Sequence, residues 1–145
     1  MEVREILSKK GSDVYSITPE SSVFEAIEKM AELEVGALLV LKGGKLNGII
    51  SERDYRIKVV LKGRTSKETK VKEIMASDVI TVSPGDSVED CMGLMTDKRI
   101  RHLPVLENEK VIGVISIGDI VKSIIDKQKE EIEDLKGYIS GSYPG

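Results

Sequence analysis

Two short stretches of the chain place a hydroxyl and a carboxylate at the same spacing. Asp54 follows Ser51 by three residues, and Asp119 follows Ser116 by three residues. A carboxylate so placed can accept hydrogen bonds from two vicinal hydroxyls, as on a ribose, and the free amides at a helix start suit phosphate. The same spacing is also that of a helix cap. The residues alone therefore leave ligand binding and simple capping both open.

A glycine stands three residues before each serine, in GIISERDY from Gly48 and in GVISIGDI from Gly113. Glycine inside a strand allows another backbone or a ligand to approach closely. The similarity is wider than these motifs, because residues 14–56 align without a gap with residues 79–121. Shorter similar segments precede the two copies: VREIL at 3–7 and VKEIM at 71–75. The chain is therefore an internal duplication.

Each copy predicts the order strand, helix, strand, strand, helix. The β-branched segments VYSI and VITV are each closed by a proline and predict short strands. Ser22 and Ser87 are placed as helix caps, with an acidic residue three positions later. GALLVL and LNGIIS flank a glycine-rich turn, and RHLPVL and VIGVIS repeat this hairpin pattern. We therefore expect an α/β (α+β) protein made of two β-α-β-β-α units.

The segment after Asp119 predicts a closing helix with one apolar seam. Apolar residues and one glutamine follow each other at steps of four and three, a period typical of a helix that faces another helix: Val121, Ile125, Gln128, Ile132 and Leu135. Its partner is either the helix's own unit or a second copy of the chain. We expect Gly137 to end this helix and GSYPG at 141–145 to be a loose tail.

These patterns divide the chain into consecutive parts that form one compact module. The expected bounds are 1–62 for the first unit with its N-terminal segment, 63–70 for a linker, 71–126 for the second unit and 127–145 for the helix extension and tail. The basic stretch KGRTSKETKVK covers the linker. Its polar composition favours a solvated connection over a nucleic-acid site.

Composition restricts the function classes. The 145 residues carry a net charge of −3 with both signs interspersed, which argues against general attraction to nucleic acid or to an anionic membrane. No apolar run reaches the roughly 20 residues that cross a bilayer, and the first ten residues are charged. One cysteine and one histidine provide no metal-ligand set. We expect a cytoplasmic protein without a metal.

A catalytic constellation is also missing from the sequence. Cys91 falls within a predicted helix, where it is expected to be a small core residue. The serine of GVISIG stands one place too late for a Gly-x-Ser-x-Gly nucleophile elbow. We therefore expect a protein that is not an enzyme.

The two copies resemble a tandem pair of cystathionine beta-synthase (CBS) domains. The stretches that carry the resemblance are in register in both copies and include SERDY, RIRHLPV and SIGD. The resemblance implies two units related by a pseudo-twofold axis, packed sheet to sheet, with two equivalent clefts. It also implies a homodimer, and adenosyl ligands such as AMP, ADP, ATP, S-adenosylmethionine or NAD.

Carried over to this chain, the resemblance implies that each aspartate binds the ribose hydroxyls and that each serine lies near the ribose or the phosphate. The first cleft is then expected to contain Ser51, Arg53, Asp54, Met75, Val79, Ile80, Arg101 and His102. The second is expected to contain Ser116 and Asp119 with Leu7, Val14, Tyr15, Gly36 and Ala37. Because Arg101 and His102 correspond to Gly36 and Ala37, we expect the Asp54 cleft to favour the more heavily phosphorylated ligand.

Three functions remain open on the sequence. The first is a sensor or regulatory module that binds an adenosyl nucleotide and acts on a separate, unidentified protein target. The second is a structural dimer or scaffold whose clefts are vestigial. The third is weak nucleic-acid binding through the basic linker.

Overall fold

The computed structural model describes residues 1–139. Six helices lie in the order α1 (Val3–Lys10), α2 (Val23–Leu33), α3 (Glu52–Tyr55), α4 (Val71–Ile74), α5 (Val88–Lys98) and α6 (Ile117–Ile139). A π-helical segment, Arg56–Val60, continues α3. The strands are β1 (Ser16–Ile17), β2 (Ala37–Lys42), β3 (Lys45–Ser51), β4 (His102–Glu107) and β5 (Lys110–Ser116). The expected α/β class and the closing helix are confirmed.

Two small sheets follow the two copies of the repeat. In the first copy the order is β1-β2-β3, and in the second β4 pairs with β5. Both hairpins are antiparallel and have the same register, with Ala37 opposite Ser51 and His102 opposite Ser116. The residue that begins each hairpin therefore lies beside the serine of its own motif.

The second copy lacks the first strand that VITV predicts. Only an isolated parallel bridge remains there, between Val82 and Val105. In the first copy the Leu39 amide donates a hydrogen bond to the Tyr15 carbonyl at 3.1 Å. The corresponding residue of the second copy is Pro104, which has no amide hydrogen to donate. The ladder therefore loses one bond and shortens to a single bridge.

Each core is completed by the helix that precedes the other copy. The α1 residues Val3 and Ile6 are buried in the core of the second unit, with Val88, Leu103 and Ile115 among its members. The α4 residues belong instead to the core of the first unit, which consists of Val23, Ala26, Met30, Leu38, Val40, Ile50, Val59, Val71 and Ile74. Helices α1 and α4 thus hold the two units together, because each packs into the core of the copy that it does not precede.

The two sheets face each other across the middle of the molecule. Leu38 and Val40 point into the helix-covered core of the first unit. Leu39, which lies between them, is buried outside both cores and lines a cleft together with Val114 of the second unit. This alternation is that of a strand covered on both faces.

Helix α6 continues through Gly137 to Ile139, so the expected end at Gly137 is wrong. Gly137 is only partly exposed and lies within the helix, although glycine is a weak helix former. Ile120 and Ser123 fix the helix to the second unit. The expected tail at 141–145 lies outside the described residues. No helix within residues 1–139 has both the length and the apolar character required to span a bilayer.

Candidate functional site

Ser116 and Asp119 connect the end of β5 to the start of α6. The Asp119 amide donates to Ser116 Oγ at 3.1 Å, and the Ser116 amide donates to Asp119 Oδ2 at 2.8 Å. The helix cap proposed for this spacing is therefore present. It fixes the carboxylate at the helix start, where 24% of the side chain remains exposed.

Ser51 and Asp54 make the same arrangement between β3 and α3. Asp54 Oδ2 accepts from the Ser51 amide at 2.9 Å and from Ser51 Oγ at 3.1 Å. Its second oxygen, Oδ1, lies 3.0 Å from Lys58 Nζ, one turn further along the same helical segment. Lys58 also donates to the Ile74 carbonyl at 2.9 Å. Both carboxylates are thus fixed by their own backbone, and neither lies in open solvent.

A cleft of about 380 Å³ lies at Asp119, between the two units. The lining residues that the sequence assigned to it are Tyr15, Gly36, Ala37, Ser116 and Asp119. Further lining residues are Lys10, Gly11, Asp13, Glu34, Val35, Leu38, Leu39, Ile49, His102 and Val114. The cleft therefore combines an apolar wall from β2 and β3 with polar groups from the second unit and from the end of α1.

Lys10, which forms an ion pair with Asp119, was not expected at this site. Its ammonium lies 2.7 Å from Asp119 Oδ2 and donates to the Val114 carbonyl at 2.7 Å. Burial raises the pKa of Asp119, but the bonds from Lys10 and Ser116 outweigh burial and lower it below the ordinary value of 3.8. Asp119 is therefore ionised at neutral pH. The signal for Lys10 in the sequence was only its place at the end of VREILSKK.

The assignment of His102 to the Asp54 cleft is corrected by the structure, which places it in the Asp119 cleft. The reason is the hairpin register, since His102 begins β4 directly opposite Ser116. Burial lowers the pKa of His102 below 6.5, Asp119 raises it, and Lys10 and Arg101 lower it further. The imidazole is therefore neutral at physiological pH and can both donate and accept a hydrogen bond.

The other residues assigned to the clefts divide between the core, the surface and the cleft edge. Met75 packs on the core of the first unit and Ile80 on that of the second. Leu7 packs against Gly113 rather than lining the described cleft. Arg53 and Arg101 are exposed, while Val14 and Val79 are partly exposed. The preference of the Asp54 cleft for a more phosphorylated ligand stays a prediction.

Cys91 is buried and its pKa is raised to about 11, first by burial and then by Asp86 and Asp90. The thiol is therefore protonated at neutral pH, and the nucleophilic thiolate is scarce. Its position in the core of the second unit agrees with the small core residue expected from the sequence.

Known proteins are similar to this chain in both sequence and fold. The mitochondrial CBS domain-containing protein CBSX3 of Arabidopsis thaliana is 45% identical over 131 residues, which are 87% of this chain and 64% of that protein. A solved protein with CBS domains from Burkholderia ambifaria MC40-6 is 50% identical, with a TM-score of 0.86 over 88% of this chain and 96% of its own. A CBS-domain protein of Agrobacterium tumefaciens is 35% identical, with a TM-score of 0.82 over 85% of this chain and 98% of its own.

The family match covers both copies of the repeat. The CBS domain family matches residues 3–60 and residues 71–126, which include both Ser-x-x-Asp motifs. The chain spans less than two thirds of the length of the Arabidopsis relative. With two family matches in tandem and the same fold in the solved relatives, the chain belongs to the CBS domain family and carries a pair of CBS domains.

Proposed function

We propose that the protein is a regulatory or sensor module that binds an adenosyl nucleotide and acts on a separate protein target. The observation that carries this proposal is the position of Asp119, ionised and fixed by its cap in a cleft between the two units. The volume of about 380 Å³ falls within the roughly 300–1,000 Å³ of small-molecule sites. An apolar wall suits the adenine ring, and the carboxylate suits the two ribose hydroxyls.

The ligand class is AMP, ADP, ATP or NAD. A CBS domain protein of Pyrobaculum aerophilum, which has the same fold at 24% identity, was solved complexed with AMP. That likeness concerns the fold, so the proposal for this chain depends on its own cap, carboxylate and cleft. The Asp54 motif reproduces the cap and supports a second binding position in the first copy.

The proposed action is regulatory and not catalytic. A ligand can regulate only if it binds two conformations with different affinity. The cleft offers such a contact, because its residues come from β2, β3, the end of α1 and the second unit. A ligand held there contacts both units, so it can change their relative position, which a partner protein could recognise.

A thermal shift screen tests the proposal. A ligand at 100 times its dissociation constant adds about 2.7 kcal/mol to the free energy of unfolding, which corresponds to several degrees for a chain of this size. The double variant Asp54→Ala with Asp119→Ala is expected to lose this shift, and a 2′-deoxy ligand is expected to give a smaller one. Mass spectrometry of small molecules released from the purified protein identifies the ligand directly. A screen in which no adenosyl compound stabilises the protein contradicts the proposal.

A homodimer is proposed as the assembly, with α6 as its contact. Val121, Ile125, Ile132 and Leu135 are 44–59% exposed on one face of this helix. A dimer is not general among solved relatives, since a CBS-CP12 protein from bloom-forming cyanobacteria is hexameric. A scaffold with vestigial clefts is the second candidate function, and dimerisation without any ligand-induced thermal shift would favour it.

The basic linker provides less support for nucleic-acid binding. Lys70 and Lys72 both lie 2.9 Å from Glu20, and Arg64 lies 2.6 Å from Glu73. The Lys67 ammonium lies over the ring of Phe24. These cations have partners within the protein, so few are available to release counterions from a phosphate backbone. Salt-sensitive oligonucleotide binding that is lost in Lys67→Ala would support this function instead.

A cytoplasmic location is proposed from the single free and buried cysteine, which suits a reducing compartment. The Arabidopsis relative carries the word mitochondrial in its name. Fractionation of cells that express the protein decides between the two.

A further inference from the structure

The carboxylate that is proposed to bind ribose already has an internal cation. Lys10 Nζ and the Ser116 amide both contact Asp119 Oδ2, at 2.7 and 2.8 Å. Two vicinal hydroxyls that each donate to a separate oxygen of one carboxylate occupy both Oδ1 and Oδ2. A ribose that binds in this way must therefore take the place of the Lys10 ammonium on Oδ2.

The charges of the cleft determine where that ammonium can go. Lys10 is the one cationic side chain among the residues that line the described cleft, against the carboxylates of Asp13, Glu34 and Asp119. His102 adds hydrogen-bonding capacity without charge. Among the residues that line the described cleft, only Lys10 can therefore compensate an anionic group on the ligand, and each further negative charge is repelled by Asp13 and Glu34.

The geometry points to an exchange in which Lys10 leaves Asp119 for the phosphate of the ligand, so that this cleft selects a nucleoside monophosphate over a nucleoside and over a polyphosphate. The inference rests on the proposed function and adds to it the ligand's phosphate number and the residue that reads it. The occupied cleft would then contain two matched pairs, ribose with Asp119 and phosphate with Lys10.

The position of Lys10 in the fold allows this exchange without movement of the core. It is the last residue of α1, and Gly11 ends the helix with its amide on the Leu7 carbonyl. Val3 and Ile6 fix the other end of α1 in the core of the second unit. Only the side chain of Lys10, which is 35% exposed, has to turn.

The first copy does not reproduce this device. The residue that corresponds to Lys10 in the second copy of the repeat is Asp78, an acid. Asp54 is paired instead with Lys58 from its own helical segment. The selection for one phosphate is therefore a property of the Asp119 cleft, and it has to be measured with the Asp54 motif disabled.

The test is isothermal titration calorimetry in an Asp54→Ala background, with adenosine, AMP, ADP and ATP as the probes. We expect AMP to bind about tenfold more tightly than adenosine, as one charge-assisted contact implies, and more tightly than ADP or ATP. In Lys10→Met we expect adenosine to gain affinity, because Asp119 is released, and AMP to lose it. The tenfold preference should then disappear. Lys10→Arg should retain it, and Lys9→Met, an exposed neighbour on the same helix, should change nothing.

The outcomes separate the two proposals. If AMP binds but its preference over adenosine survives in Lys10→Met, or if ATP binds as tightly as AMP, the exchange is wrong while the proposed function remains. If neither the four probes nor NAD binds the wild-type protein, the proposed function itself fails. Thermal unfolding of each variant without ligand shows that the comparison is between folded proteins.

Discussion

Leu7 packs on Gly113, so that a Cβ at residue 113 would lie 2.7 Å from Leu7 Cδ2. The first copy has the corresponding contact, with a Cβ at Gly48 lying 2.7 Å from the Ala76 carbonyl oxygen and 2.8 Å from Met75 Sδ. The glycine of each motif therefore admits the segment that precedes the other copy. Through these two close contacts, the strand that precedes each Ser-x-x-Asp motif packs against the segment that comes before the other copy.

The two glycines are expected to differ in their tolerance of a methyl group. Gly48→Ala pushes against a backbone carbonyl held by reciprocal hydrogen bonds between Ile49 and Ala76, at 3.0 and 2.9 Å. We expect it to cost about 1–3 kcal/mol, as overpacking typically does. Gly113→Ala meets only the end of the Leu7 side chain, which can turn, and should cost less. Urea unfolding of both variants measures the difference, and a larger loss in Gly113→Ala would contradict it.

His102 is expected to titrate below 6.5, because burial disfavours its charged form. It is the single histidine of the chain, so its Hε1 resonance in a proton NMR titration reports its pKa without assignment among several histidines. Asp119→Asn should lower this pKa further, since Asp119 stabilises the imidazolium, and Lys10→Met should raise it. Shifts in the opposite directions would show that His102 does not share the cleft with these groups.

The same shift predicts a contribution to stability versus pH. With the folded pKa of His102 below the unfolded value of 6.5, the unfolded chain binds more protons between these two values. The contribution of His102 is therefore present at neutral pH and is lost as the pH falls from 6.5 to the folded pKa. His102→Gln should flatten this part of the profile of unfolding free energy against pH. An unchanged slope in the variant would assign the profile to other groups.

The sequence predicted the elements that depend on local chemistry. Ser22 and Ser87 cap α2 and α5 through bonds of 3.1 and 3.0 Å, as their spacing indicated. Both hairpins formed where a turn separated two apolar runs. The prediction failed for VITV because a strand also depends on its neighbour, and Pro104 withholds the amide hydrogen that the ladder requires.

The candidate site was predicted only in part, because some of its residues are brought together by contacts between distant segments. The motif residues Ser116 and Asp119 could be read from the repeat, since one segment contains both. Lys10 could not, because its contact with Asp119 spans 109 residues and depends on the exchange of α1 onto the second unit. His102 was identified as a site residue but placed in the other cleft, because the family resemblance assigned it there, whereas the hairpin register places it opposite Ser116.

Cys91 is expected to be inert in the native protein. Its side chain is buried, and the raised pKa of about 11 keeps it protonated at neutral pH. A thiol reagent should modify it at the rate of unfolding, with little modification in buffer and complete modification in denaturant. Cys91→Ser should destabilise the second unit, because it puts a hydroxyl into an apolar core, whereas Cys91→Ala should be milder. Rapid labelling of the folded protein would contradict the prediction.

The exposed face of α6 has the composition of a parallel two-stranded coiled coil. In heptad notation, position a contains Ile125, Ile132 and Ile139, and position d contains Val121, Gln128 and Leu135. Isoleucine at a with leucine at d favours a parallel two-stranded coiled coil. The flanking e position contains Lys122, Lys129 and Lys136, and one g position contains Glu131. In a parallel pair Glu131 faces Lys136 of the second copy, whereas in an antiparallel pair the lysines face each other.

Charge reversal therefore tests both the dimer and its orientation. Glu131→Lys and Lys136→Glu should each weaken self-association several-fold, since each turns two ion pairs into repulsions of up to about 1 kcal/mol. The double variant restores opposite charges in a parallel pair and should recover the wild-type dimer. Glu130→Lys, on the face away from the seam, is the matched control. Sedimentation equilibrium measures the association constants, and failure of the double variant to recover would reject the parallel arrangement.

Ile132→Asp should leave a monomer, because it puts a carboxylate into the seam, so a dimer that survives this change must use another surface.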